Sequence, residues 1–167
     1  KGSIIFPCDE YDVAGETHNF CGMRVFDYDE TLFPMEKRVI QCNVLQNDEN
    51  YAYWFGLKNN INLYNQEKQR LADDLRLRIE KKYPQLEGKL IVLGTYSPVT
   101  FTTWCNAYKG GYMSFNPQKG YKNKYVKSTI KGLNNLYLAS QWIQTSGGLP
   151  IAAASGKFAI DIMKSSR

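Results

Sequence analysis

Near the end of the chain, Gly147 and Gly148 stand just ahead of Pro150 and the small-residue run Ala152, Ala153, Ala154, Ser155 and Gly156. That spacing has a chemistry. Glycines let a backbone approach a ligand closely, and the unpaired N–H groups of a helix's first turn favour an oxygen-rich or partly negative group. The small residues would let a second surface, protein or cofactor, pack hard against the helix. Leu136 to Ala139 reads as a short buried strand, Thr145 to Pro150 as a glycine-containing turn, and Ile151 to about Met163 as a helix. Strand, glycine turn and helix suit a phosphate, although such a unit more often serves plain packing.

Other reactive groups are sparse. Cys8, Cys21, Cys42 and Cys105 form no C-x-x-C pair, and with His18 as the single histidine there are too few soft ligands to expect a metal site. A chain of 167 residues with its own core has no need of disulfides, so reduced thiols are expected, and none stands out as a nucleophile. A general acid or base role for His18 is outweighed by that of a hydrogen-bonded or surface histidine. The catalytic residue, if the chain has one, stays unassigned.

The elements that must position these residues follow from periodicity. Leu71, Leu75, Ile79 and Tyr83 recur every four residues with charges between them, which predicts a covering helix from about Asn65 to Tyr83, ended by Pro84. VIQCNVLQ (39–46) and YAYWFGL (51–57), separated by polar NDEN, predict a β-hairpin with Tyr51, Tyr53 and Phe55 on one face. KLIVLGTY (89–96) predicts a further strand. Ser97 and Pro98 are suited to open a short helix within 97–108, followed by a loop of glycines, aromatics and lysines. The order predicts an α+β or mixed α/β fold, with a largely antiparallel or mixed sheet covered by helices.

The string GLNNLYLASQWIQTSGGLPIAAASGKFAI, residues 132 to 160, resembles the C-terminal FAD motif of phytoene desaturases, carotenoid isomerases and related amine-oxidase-like flavoproteins. In that family a strand of the form LYLAGD leads into a glycine turn and a helix containing SG. The strand end meets the flavin's phosphate and ribityl chain, and the helix start lies against the isoalloxazine ring. The resemblance implies FAD contact at Ala139, Ser140 and Gln141, and at Gly147, Gly148, Leu149, Pro150 and Ile151. Here SQ replaces the family's GD, so Gln141 offers an amide where relatives have a carboxylate. HNFCGMRVFDYDETLFPMEKRVIQCNV and GTYSPVTFTTWCNAYKGGYMSF are similar to the family's substrate-domain strands and TP-x-T helix. An apolar substrate lining is thereby implied for Tyr96, Phe101, Trp104, Tyr112, Met113 and Phe115, with ordinary core packing as the competing role.

The family's G-x-G-x-x-G loop is absent from the 167 residues. The resemblance therefore implies residues 1–130 as part of a substrate-binding domain and 131–167 as the strand and helix that return to complete a Rossmann-like FAD domain. FAD would be held weakly or not at all by the chain alone. The expected partners are the missing N-terminal FAD-binding region, an apolar polyene or lipid-like molecule, and a second copy through an unpaired strand edge.

Charge is lopsided. Residues 1 to 88 carry 15 acids against 11 Lys and Arg, whereas 89 to 167 carry 10 basic residues against Asp161 alone. A basic half suits a phosphate-bearing cofactor, an anionic membrane surface in peripheral contact, or nucleic acid. Nucleic acid is the least favoured, since Tyr108, Tyr112, Tyr121 and Tyr125 interleave with lysines but no RNA-binding signature accompanies them. With 43% hydrophobic residues, and neither the roughly 18 apolar residues of a membrane span nor a signal-peptide core at the start, a soluble cytoplasmic chain is expected.

Overall fold

The computed structural model describes residues 2–27, 31, 36–113, 119–120, 126–144 and 147–165. The chain divides into two compact units, Lys1–Gly110 and Gly111–Arg167.

The first unit is an antiparallel sheet under helices, an α+β arrangement. Strands β1 (Gly2–Val13), β2 (Glu16–Phe26) and β3 (Val39–Cys42) lie in the order β1-β2-β3. Val13 pairs with Glu16, leaving Ala14 and Gly15 as a two-residue turn with φ +53° and +83°. Positive φ at both central residues matches the right-handed twist of the flanking strands. Along β1 the inward residues are Phe6 and Cys8, then Tyr11 and Val13; a strict two-residue period cannot place all four inside. The register shift between Pro7 and Tyr11, where three residues of β1 stand against Asn19 alone on β2, breaks that period and keeps both pairs facing the core.

Helix α1 (Asp48–Leu57) overturns the predicted hairpin. NDEN is a helix start: the Asn47 side chain accepts from the N–H groups of Glu49 (2.8 Å) and Asn50 (3.1 Å), while the Asn50 side chain accepts from the Asn47 N–H at 2.8 Å. Asp48 and Glu49 in the first turn complement the helix dipole. The aromatic run then obeys a four-residue period, with Asn50 and Trp54 buried and Tyr51 stacked on Phe55 rather than alternating across a strand.

Helix α2 (Ile61–Lys82) is the expected cover, stopping before Pro84, with Asn60 as its cap. Leu71 joins a core cluster of Tyr11, Val13, Trp54, Tyr64 and Val99, and Ile79 joins a second of Phe6, Cys21 and Met23; Leu75 packs against both. Helix α3 (Pro98–Cys105) begins at Ser97 and Pro98 as predicted. The expected strand 89–96 does not form: the segment joins no ladder, and Ile91 and Leu93 are each 83% exposed. A strand needs a partner, and β3, only four residues long, leaves little edge to supply one.

In the second unit the expected strand 136–139 reduces to one antiparallel bridge, Thr129 with Tyr137, supported by the Leu138 N–H donating to the Ser128 carbonyl at 2.7 Å. Helix α4 (Gly148–Ser165) starts three residues earlier than expected and buries Ser155 and Ala159.

Candidate functional site

The residues with chemical promise in the second unit meet at the start of α4. Gly147 (φ +54°) and Gly148 (φ +84°) both take left-handed backbone, which glycine adopts without a Cβ penalty. The Gly148 N–H, one of the donors left over at a helix start, gives its hydrogen to Oε1 of Gln141 at 2.9 Å. The other end of that amide, Nε2, lies 3.5 Å from the Tyr112 carbonyl oxygen, and the Met113 methyl lies beside Gly148, 3.8 Å from where a Cβ would project. One side chain therefore links the 112–113 segment to the glycine turn.

Ser140 acts locally too. Its Oγ accepts from the Trp142 N–H at 3.2 Å and caps the short helical turn 141–143. The expected strand end is thus a capped turn, and the amide of Gln141 is engaged with protein on its acceptor side. No signal in the sequence marks this role for Gln141, because its partners lie 7 and 29 positions away. The cap at Ser140 was readable as a serine preceding a turn.

The other expected contacts are dispersed. Ala139 is exposed and Leu149 is 86% exposed, Pro150 is exposed and Ile151 half-buried. Of the small residues on α4, Ser155 is buried inside its own unit, where its hydroxyl donates to the Ala152 carbonyl, whereas Ala153 faces outward. Beside Ser155, a cavity of about 170 Å³ is lined by Val126, Ser128, Ile143, Gln144 and Phe158. In the first unit a second of about 230 Å³ lies among Phe6, Cys8, Arg78 and Lys81. Both fall short of the roughly 300–1,000 Å³ of a cofactor pocket. The glycine turn fits a close-approaching phosphate or ribityl group, but neither of these cavities is large enough to enclose a flavin.

Of the expected substrate lining, Tyr96, Trp104, Tyr112 and Met113 are exposed and Phe101 is half-buried, so none of these belongs to the buried core; Phe115 lies outside the described residues. In the first unit Tyr96 and Trp104 meet edge to face with ring centroids 5.6 Å apart. Tyr121, Tyr125, Thr145 and Ser146 also lie outside the described residues. His18 packs at 5.6 Å from the Tyr11 ring, and its Nε2 is buried without a hydrogen-bond partner. Among the described residues no cluster of three or more His, Cys, Asp or Glu is placed to hold a metal, and no helix is long and apolar enough to cross a membrane.

No family model, curated protein or solved structure matches the chain.

Proposed function

We propose that the chain is the C-terminal part of an FAD-dependent oxidoreductase of the phytoene desaturase and carotenoid isomerase type, acting on an apolar polyene or lipid-like substrate and inactive by itself. The observation that carries this reading is the meeting of the glycine turn, Gln141 and the Tyr112–Met113 segment, which puts residues expected at cofactor and substrate beside one another. A bound flavin would supply the acceptance and return of hydride equivalents. The chain's share is binding and orientation: Gly147 and Gly148 give backbone access to the phosphate and ribityl chain, and Gln141 holds the turn in shape. Exposed Tyr112 and Met113, in the same unit as the glycine turn, supply apolar surface for the substrate. Desaturation, saturation and isomerisation are equally served by this arrangement.

The test is flavin uptake. The chain joined to its upstream residues is expected to purify yellow, with the flavin absorbance lowered in the Gln141→Ala variant, while the chain alone stays colourless. A longer protein that takes up no added FAD would remove the oxidoreductase reading.

A second reading, a non-catalytic dimerisation module, is favoured by exposed Ile91 and Leu93 on a segment without a ladder partner. Sedimentation of the chain against concentration tests it. Only a dimer that dissociates on Leu93→Lys substitution supports it.

A further inference from the structure

Three cysteines stand one on each strand of the sheet: Cys8 on β1, Cys21 on β2 and Cys42 on β3. Phe6 is paired with Cys21 and Met23 with Cys42. Because side chains alternate, Cys8 shares a face with Phe6, and Cys21 shares one with Met23. All three thiols therefore point to the side that α2 covers. Cys21 is wholly buried among Phe6, Met23 and Ile79, and the half-buried Cys8 and Cys42 pack against the same cluster. Cys21 and Cys42 are diagonal neighbours across β2 and β3 and pack into the same cluster.

We propose that Cys21 and Cys42 are a redox pair that closes to a disulfide across β2 and β3 on meeting a low-molecular-weight disulfide. Cys42 is the attacking sulfur. It is the more accessible of the two, and the polar S–H of neighbouring Cys21 lowers its pKa below the ordinary thiol value, while Cys42 and burial push the Cys21 thiol up. The Cys42 thiolate attacks one sulfur of the small disulfide, breaks its S–S bond and releases one small thiolate. The Cys21 sulfur, in the same cluster, then attacks the sulfur of Cys42 in the mixed disulfide and expels the second small thiolate. The two protons lost by the protein thiols end on the two released thiols. Two protein sulfurs are oxidised, and one small disulfide is reduced. Cys8 stays a bystander, since burial first and Cys21 second push its thiol up, against a weaker opposing pull from Arg78.

The test incubates the whole folded chain with oxidised glutathione, blocks the remaining thiols with N-ethylmaleimide, and maps peptides by mass spectrometry. The exposed Cys105 is the internal control, expected to carry glutathione. The expected result is the loss of three alkylatable thiols, Cys105 to glutathione and Cys21 and Cys42 to a link between their peptides, survival of that link in Cys8→Ser, and its reversal by dithiothreitol. Cys21 and Cys42 both alkylated while Cys105 carries glutathione would overturn the proposal. So would a link that disappears in Cys8→Ser while circular dichroism shows that variant folded.

Discussion

The phenol oxygen of Tyr64 lies 2.6 Å from the hydroxyl of Ser97, joining α2 to the residue that caps α3 in the buried interior. Ser97 thereby holds two helices rather than one. Its backbone N–H is taken by the Thr100 hydroxyl at 3.2 Å, and its own hydroxyl is directed to Tyr64. Tyr64→Phe removes one partner and leaves the buried Ser97 hydroxyl short of a hydrogen bond, which costs about 1–3 kcal/mol. Removing both partners in Tyr64→Phe/Ser97→Ala is expected to destabilise by less than the sum of the two single changes. Urea denaturation of the four proteins checks this.

Gly110 is expected to be the least replaceable glycine. It has φ +71°, and a Cβ there would stand 2.1 Å from the carbonyl oxygen of Pro98, a backbone atom that cannot swing away. Gly110→Ala is expected to lower stability by at least ~2 kcal/mol through overpacking and left-handed strain together. Gly120→Ala, with positive φ but nothing near its Cβ, is the comparison that separates strain from clash in thermal unfolding.

Asn50 serves the cap of α1 with its amide oxygen and the hairpin turn with its amide nitrogen, which donates to the Ala14 carbonyl at 3.2 Å. Asn50→Ala strips partners from two backbone groups and is expected to cost ~2–3 kcal/mol. Asn50→Asp keeps an acceptor for the Asn47 N–H but brings a carboxylate against the Ala14 carbonyl. It is expected to be no better than alanine at neutral pH and to recover part of the loss in acid, where the protonated carboxyl can donate.

Tyr11 should be the last tyrosine of the first unit to ionise. Burial, with a smaller contribution from neighbouring thiols, pushes its phenol up to about 12, and its hydroxyl donates to the Phe20 carbonyl at 3.1 Å. The folded chain holds this proton more tightly than the unfolded one, whose phenol titrates near pH 10. The resulting stability is complete below about pH 10 and is lost as the pH rises toward about 12. In alkaline unfolding of the chain and of Tyr11→Phe, followed with the phenolate absorbance, the pH dependence of stability is expected to differ only in that window, on top of a pH-independent loss from the missing hydrogen bond.

Legibility in the sequence tracked how far apart the deciding contacts lie. The covering helix was readable because Leu71, Leu75 and Ile79 form a stripe set by local periodicity, and Pro84 closes it. The glycine turn was readable for the same reason. The stretch 51–57 was not, since an aromatic run fits either period and the choice fell to the capping of Asn47 and the burial of Trp54. For 89–96 the apolar run suggested a strand, but no partner in the sheet is there to pair with it. At the site, Gly147 and Gly148 could be picked out by type, whereas the bridging of Gln141 depends on Tyr112, 29 residues away.

The irregularity in β1 has a consequence for the order in which the chain takes shape. Where β1 leaves regular pairing, the carbonyls of Asp9 and Glu10 accept from one guanidinium, that of Arg78, at 3.1 and 2.7 Å. Those bonds span 69 and 68 positions, whereas the β1–β2 turn closes over four residues. On a ribosome adding about 5–20 residues each second, Arg78 emerges several seconds after the strands it will serve, and a hairpin closes in microseconds. The young hairpin must therefore wait, for most of its early life, with those two carbonyls turned to water.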